Sequence, residues 1–240
     1  MQNNRTKLSK EQFARFNVFY PSNFVIVEMP PEHNIVTPSG IDVGFNPDVQ
    51  YGTMDSSDTS AHVADCADVF GTITKQVDRL YFNRKDINKS MSWNCDVETL
   101  VGDVVFFHPL ISKNCNEILV EDTVYKAIPY EDLFVARRGD TVICLNGNIL
   151  IEPILKPKLS EFDISDPQED KYKGIVRYNG TNNRRYMAKG QADMDVKVGD
   201  TVILDKRSYP FYLERSKYNS NFDGDKQFVV IQKRFALAVI

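Results

Sequence analysis

The side chains that most often carry catalysis or bind metals are sparse in this sequence. Its 240 residues include 3 histidines and 4 cysteines, and no two cysteines form a C-x-x-C pair. His62 and Cys66 stand four residues apart, a spacing that would place both on one face of a helix. Because structural zinc takes four ligands, this pair alone predicts no metal site. We expect Cys66, Cys95, Cys115 and Cys144 to be reduced thiols.

Sequence motifs for nucleotide binding or hydrolysis are absent. The chain has no P-loop, no G-x-G-x-x-G, no H-E-x-x-H and no G-x-S-x-G. General acid–base chemistry also has few of its usual groups, since only His33, His62 and His108 are present. We therefore predict that the protein is not an enzyme and binds no cofactor.

Basic residues are interleaved with aromatic ones between Lys206 and Tyr218. On a β-sheet surface this composition could hold phosphates and stack bases. Alternatively, the aromatic rings pack beneath a hairpin and the aliphatic stems of Lys and Arg cover them. The formal net charge of -4 argues against a surface built for phosphate, so we expect the second arrangement and no nucleic-acid partner. No apolar run approaches the roughly 20 residues that cross a bilayer, and we expect no membrane partner.

Short β-branched and aromatic runs between turn residues dominate the chain and predict an all-β protein. Asn146-Gly147 stands between two such runs and predicts a hairpin, because both central positions of a type I′ turn need positive φ. Asp223-Gly224 predicts a second hairpin. Only the start indicates a helix, where Ser9 and Gln12 form a capping-box pattern.

Five sequence elements recur in the same order in the two halves of the chain. We interpret the ordered set as two homologous β-domains, residues 1–138 and 139–240, joined near Arg138-Gly139. The pairs are Phe24–Glu28 with Asn148–Glu152, Ile41–Val43 with Phe162–Ile164, Phe70–Ile73 with Lys173–Val176, Leu100–Val105 with Lys197–Ile203, and Asp132–Ala136 with Arg234–Ala238.

Each half contains one Val-Gly-Asp segment, which includes Gly102 and Asp103 in the first half and Gly199 and Asp200 in the second. The glycine is expected to take a turn conformation that is closed to residues with a Cβ, and the aspartate to hydrogen-bond the following backbone. The apolar alternation then restarts as a strand. We interpret both segments as structural corners and not as catalytic sites.

The ordered pattern resembles the GroES-type co-chaperonin family, present twice. The segments that carry the resemblance are the strand ending in Glu28, Thr37–Val43, the Val-Gly-Asp corners, and the closing runs Leu133–Ala136 and Phe235–Val239. The resemblance extends over most of the chain. It implies two tandem small β-barrels that assemble into a ring and cap a barrel-shaped chaperonin, whose ATP is bound by the chaperonin and not by this chain.

The family also implies a binding site. In that family, an apolar triplet in a flexible loop docks into a groove of the chaperonin, and Ile41-Asp42-Val43 and Phe162-Asp163-Ile164 match it by position. Both copies depart from the family by placing Asp at the centre. In an extended segment the two outer side chains would still point together. Their burial supplies about 1.5 to 3 kcal/mol each before ordering costs, so binding needs many loops in one oligomer.

Long polar insertions distinguish this chain from a compact co-chaperonin, namely Asn46–Asp65, Asn83–Cys95 and Tyr209–Asp225. Together with the tandem arrangement, they suit a divergent phage-encoded relative that acts in the host cytoplasm, with a chaperonin and further copies of itself as partners. A second function stays open. The same fold could serve as a structural component of a virus particle, an auxiliary capsid or other virion assembly protein with virion proteins as partners.

Overall fold

The structure is a computed structural model, and it describes residues 5–18, 23–30, 35–36, 42–43, 69–82, 93–107, 111, 115–156, 169–180, 196–205, 211–213 and 228–240. The described residues are mostly β-strand, which confirms the all-β prediction. Contacts divide the chain into two compact units, Met1–Phe82 with Asn94–Leu133, and Asn83–Trp93 with Phe134–Ile240. The sequence predicted the boundary at Arg138-Gly139. This position lies a few residues after the boundary between Leu133 and Phe134, at the end of the strand Leu133–Arg138.

The first unit contains the helix and, except for Trp93, the strand residues up to Leu133. Its elements are β1 (Arg5–Leu8), α1 (Lys10–Arg15), β2 (Phe24–Glu28), β3 (Ile35–Val36), β4 (Asp42–Val43), β5 (Val69–Lys75), β6 (Arg79–Phe82), β7 (Trp93–Asp96, whose first residue belongs to the second unit), β8 (Val104–Phe107), β9 (Asn116–Val120), β10 (Thr123–Pro129) and a 3₁₀ turn (Tyr130–Asp132). The main sheet of this unit has the strand order β1-β9-β10-β2-β5-β8.

The second unit repeats this arrangement with the strands that follow. Its elements are β11 (Leu133–Arg138, whose first residue belongs to the first unit), β12 (Thr141–Cys144), β13 (Asn148–Leu155), β14 (Glu169–Asn179), β15 (Thr201–Leu204), β16 (Phe211–Leu213), β17 (Phe228–Gln232), a 3₁₀ turn (Lys233–Phe235) and β18 (Ala236–Val239). The order in its main sheet is β16-β17-β13-β14-β15-β18. Among the described strands, neither main sheet closes into a barrel.

The two sheets share their strand order and their register. The order β9-β10-β2-β5-β8 in the first corresponds to β16-β17-β13-β14-β15 in the second. In each sheet the register shifts by a bulge at the same place, between Ile26 and Val27 and between Leu150 and Ile151. The shared register aligns Phe24 with Asn148, as the sequence comparison does. The two sheets share it although their strands have no long run of identical residues.

The last repeated element is aligned differently from the sequence comparison. Both 3₁₀ turns end with a backbone bond, from Leu133 N–H to Tyr130 O and from Ala236 N–H to Lys233 O. Leu133 therefore corresponds to Ala236 and not to Phe235, so the predicted pairing of Asp132–Ala136 with Arg234–Ala238 was wrong by one residue. The reason is burial, since Leu133 and Ala236 both point into a core whereas Phe235 is only partly buried.

The N-terminal arm, residues 5–18, packs on the first sheet. Its helix begins with the predicted capping box, in which Gln12 N donates to Ser9 Oγ at 3.2 Å and Ser9 N donates to Gln12 Oε1 at 2.8 Å. The strand before it, β1, pairs in parallel with β9 and was not predicted. Phe13 contacts Tyr125 with ring centroids 4.3 Å apart, and Lys75 Nζ donates to Phe16 O at 2.7 Å. The arm thus covers the β9 edge, and the bond from Lys75 anchors Phe16 to the end of β5.

The hairpin predicted at Asn146-Gly147 was wrong, although the turn itself is present. Both residues have positive φ, 55° and 73°, and Asn148 N donates to Leu145 O at 2.9 Å. The flanking strands β12 and β13 nevertheless do not pair with each other. Both edges of β13 are taken by β14 and β17, and β12 pairs with β11 across a turn at Gly139. The turn at Asp223-Gly224 lies outside the described residues.

Candidate functional site

The predicted binding triplets are only partly within the described residues. In the first, Asp42 and Val43 form β4 and pair with Val36 and Ile35 of β3 in an antiparallel ladder. Ile41 lies outside the described residues, and so do Phe162, Asp163 and Ile164 of the second triplet.

Both triplets nevertheless stand in the same connection of the two repeats. Ile41–Val43 falls between β2 and β5, and Phe162–Ile164 falls between β13 and β14. These are equivalent antiparallel pairs, closed at their bases by Glu28 opposite Thr72 and by Leu155 opposite Glu169. Each connection therefore starts and returns at one end of a strand pair, and the sheet holds its two ends.

Glu28, at the end of β2, and its counterpart Glu152, within β13, have different neighbours. Glu28 lies opposite Tyr125, and burial followed by the negative charge of Glu28 raises the pKa of that tyrosine. Its counterpart Glu152 forms an ion pair with Arg177 of β14. The strand pair β13–β14 thus contains an ion pair at the position where the first sheet has a tyrosine beside a carboxylate.

The Val-Gly-Asp corners have nearly identical geometry in the two units. Gly102 and Gly199 have φ of 98° and 96°. Asp103 Oδ2 accepts from Leu100 N at 2.8 Å, and Asp200 Oδ2 accepts from Lys197 N at 2.7 Å. Each aspartate thus bonds the backbone three residues before it, a contact that the sequence analysis did not predict. This bond closes a tight turn directly before β8 and before β15, which is a structural role.

Alanine at either corner glycine tests the backbone requirement alone, because nothing lies within 4 Å of a Cβ built at Gly102 or Gly199. The positive φ disfavours a side chain, so Gly102→Ala and Gly199→Ala should each lower the free energy of unfolding by about 1 to 2 kcal/mol. Urea denaturation would measure both values. Two variants as stable as the wild type would contradict the assignment of strained corners.

Two buried polar residues at equivalent positions were missed by the sequence analysis. Tyr130 and Lys233 begin the 3₁₀ turns and are 1% and 7% exposed. The Tyr130 hydroxyl accepts from Glu98 N at 2.9 Å, whereas Lys233 Nζ donates to Gly180 O at 2.6 Å. Each side chain ties a neighbouring segment to its turn. A single Tyr or Lys in the sequence carries no sign of such burial.

The part of the chain that the structure describes adds no evidence for a metal site or for a nucleic-acid site. There, no group of three or more His, Cys, Asp and Glu side chains could hold a metal ion. His62 and Cys66 lie outside the described residues, as does all of Lys206–Tyr218 except β16. No helix of the described residues has the length and apolar character needed to cross a membrane.

Within the part of the chain that the structure describes, Cys115 and Cys144 are thiols outside any disulfide. Cys144 is buried at the end of β12, and Cys115 is partly buried just before β9. Burial raises the pKa of the Cys115 thiol, so its reactive thiolate form is disfavoured at neutral pH.

Neither a scan against protein-family models nor a search of curated proteins finds a match for this chain. The resemblance to GroES-type co-chaperonins therefore stays a prediction from the sequence.

Proposed function

We propose that this chain is a non-enzymatic, co-chaperonin-like protein that caps a chaperonin chamber through the loops around Ile41 and Phe162. We also propose that each repeat is a small GroES-like β-barrel. The observation that supports the proposal best is the equivalent placement of the two triplets, each in the connection of the same antiparallel strand pair. A repeated loop on a repeated scaffold is what multivalent binding to a ring-shaped partner requires.

The proposed mechanism uses protein surfaces and no reaction centre. Each apolar triplet docks weakly in a groove of the partner, and several loops in one oligomer bind together. The strand pairs β2–β5 and β13–β14 hold the ends of each loop and reduce the entropy lost on binding. The partner binds and hydrolyses ATP, while this protein closes the chamber in which a client folds.

The experiment mixes the purified full chain with a chaperonin and ATP. The wild type should comigrate with the chaperonin in gel filtration and slow its ATP hydrolysis. The double variant Ile41→Asp with Phe162→Asp should do neither, because a charge replaces the apolar side chain that enters the groove. The matched control, Ile41→Leu with Phe162→Leu, keeps apolar loops and should behave as the wild type. Absence of association under every nucleotide condition would contradict the proposal.

A second function is a structural role in a virus particle, as an auxiliary capsid or other virion assembly protein. The exposure of apolar side chains in the second unit favours it, since Val198, Leu237 and Ile240 are each more than half exposed. Such residues suit contacts in a permanent assembly. Mass spectrometry of purified virus particles would find the chain at high copy number if this role is correct, and only in the lysate of infected cells if it is not.

A further inference from the structure

An apolar cluster on one face of the first sheet is covered by the N-terminal arm, residues 5–18. This outer cluster consists of Ile26, Ile118 and Val120, which are 2%, 6% and 5% exposed. It lies on the face opposite to that of Val25 and Val27, because side chains alternate along a strand. The arm residues that pack against it, each only partly buried, are Leu8, Phe13, Phe16 and Val18. Within the described residues, the arm thus supplies the apolar cover from beyond the sheet.

The arm has little internal stability of its own. Its helix α1 has six residues, none of which is buried, and isolated helices shorter than about 12 residues are marginal in water. The ion pair between Lys10 and Glu121 leaves the two side chains 70% and 59% exposed, and exposed ion pairs contribute little. The strand β1 joins the sheet only at its outermost position. The arm therefore depends on contacts at the end of α1.

Lys75 of β5 makes those contacts. It lies opposite Ile26, so its side chain is on the same face as the outer cluster. Its Nζ donates to Phe16 O at 2.7 Å and to Ala14 O at 3.3 Å, and it lies 4.9 Å from the centroid of the Phe13 ring. The last carbonyls of a helix have no partner within it, and a positive charge there is favoured by the helix dipole. One ammonium group thus joins three residues of the arm to the sheet.

The sheet beneath the arm has ladders that do not include it. β9 pairs with β10 from Asn116 to Val120, and β10 pairs with β2. The second unit has the equivalent order β16-β17-β13-β14-β15, and among its described strands none corresponds to β1. The five-strand arrangement therefore forms there without a parallel strand at this edge. Departure of the arm would leave the antiparallel ladders of the first sheet intact.

We propose that the N-terminal arm opens and closes over the outer cluster as one unit while the first sheet stays folded, and that Lys75 holds it closed. Segments with few buried apolar contacts open at a lower free energy than the core of the same protein. The closed arm hides Ile26, Ile118 and Val120, and the open arm exposes them. The device thus controls access to an apolar surface. It does not depend on chaperonin binding, because every contact involved lies within the first unit.

The first test measures amide hydrogen exchange of the full chain by mass spectrometry. In the wild type, peptides from the arm should exchange at least about tenfold faster than peptides from β2 and β5. Lys75→Met keeps the length of the side chain but removes the charge and its N–H donors. Exchange of the arm should then rise by about tenfold or more, because hydrogen bonds to a charged group are among the stronger ones. Exchange of β2 and β5 should stay unchanged.

Two further variants separate the role of Lys75 from a general loss of stability. Lys10→Met is the matched control, because it removes a lysine whose ion pair is exposed, and it should change exchange of the arm by less than about threefold. Phe13→Ala acts from the arm and leaves β5 untouched. It removes the ring that contacts both Lys75 and Tyr125, the latter at 4.3 Å between centroids. This variant should also accelerate exchange of the arm by about tenfold or more.

Two results of the exchange experiment would overturn the proposal. In one, the wild-type arm exchanges as slowly as β2 and β5, which would mean that it opens only when the whole unit unfolds. In the other, Lys75→Met leaves exchange of the arm unchanged. Acceleration of β2 and β5 together with the arm in Lys75→Met and in Phe13→Ala would likewise contradict an arm that opens by itself.

A thiol placed in the outer cluster tests its exposure directly. Val120→Cys puts a sulfur of similar size beneath the arm, where a maleimide can react only after opening. Addition of Lys75→Met should accelerate this labelling by about tenfold or more, and addition of Lys10→Met should not. Cys144 is 1% exposed in the second unit and is the reference in the same molecule. Peptide mapping assigns each label. Equal rates with and without Lys75→Met, or labelling of Cys144 as fast as the engineered thiol, would contradict the proposal.

Discussion

Tyr130→Ala is expected to lower the free energy of unfolding by about 3 to 5 kcal/mol, the largest effect of any single change considered for this protein. The ring of Tyr130 is 1% exposed and is among the largest fully buried side chains of the structure. Truncation removes its packing and leaves a cavity that the surrounding strands fill only in part. Urea denaturation followed by circular dichroism would measure the loss. A loss below about 1 kcal/mol would contradict the burial of this side chain.

Tyr130→Phe separates the hydroxyl group from the ring. The variant keeps the aromatic packing but removes the oxygen that accepts from Glu98 N at 2.9 Å. A donor that loses its partner in a partly buried site costs about 1 to 3 kcal/mol, so the loss should be smaller than in Tyr130→Ala. Equal losses in the two variants would mean that the ring contributes nothing.

A comparison of the wild type with Tyr130→Phe also tests the titration of the Tyr130 phenol. Burial, and after it the negative charge of Glu98, raise the pKa of Tyr130 above its ordinary value of 10.0. The unfolded chain therefore loses this proton first as the pH rises. The stability of the wild type should decrease above about pH 10 relative to Tyr130→Phe, by up to about 1.4 kcal/mol per pH unit. A difference that is constant with pH would contradict the raised pKa.

Gly71→Ala should lower the free energy of unfolding by about 3 kcal/mol, at the upper end of what overpacking costs. A Cβ at Gly71 would lie 2.5 Å from the carbonyl oxygen of Glu28 and 2.5 Å from Cγ1 of Val27. The oxygen belongs to the backbone of β2, which is paired with β5 at this point, so it cannot move without disturbing the ladder. Thermal or urea denaturation would measure the effect.

The repeat provides a matched control at Gly174, the counterpart of Gly71. There, the nearest atoms to a Cβ belong to the side chain of Ile151, with Cδ1 at 2.6 Å. A terminal methyl can rotate away, so Gly174→Ala should cost only about 1 kcal/mol. Two equal losses would show that the backbone oxygen at Gly71 is not the deciding contact.

Several features of the fold could be predicted because they depend on neighbouring residues. The capping box of Ser9 and Gln12 and the positive φ at Asn146 and Gly147 follow from side-chain and backbone preferences within four residues. The ordered repeat predicted equivalent strands in the two halves, and the shared strand order agrees with it. The positions of the two triplets between equivalent strands follow from the same repeat.

Other features could not be predicted because they depend on competition between distant segments. β1 has no apolar alternation, and only its parallel pairing with β9 makes it a strand. The burial of Lys233 depends on the carbonyl of Gly180, which is far away in the sequence. The one-residue error in the last repeated element arose because sequence similarity favoured Phe235, whereas the 3₁₀ turn places Ala236 in the core.

The amino-acid sequence by itself determined the all-β class, the corner glycines and the turn at Asn146-Gly147, because steric limits on φ and short-range hydrogen bonds act within a few residues. Tertiary structure alone decided which strands pair. The turn at Asn146-Gly147 produces no hairpin because β14 and β17 occupy both edges of β13, while β12 pairs with β11. Each edge of a strand has one row of N–H and C=O groups, and one partner strand takes all of them.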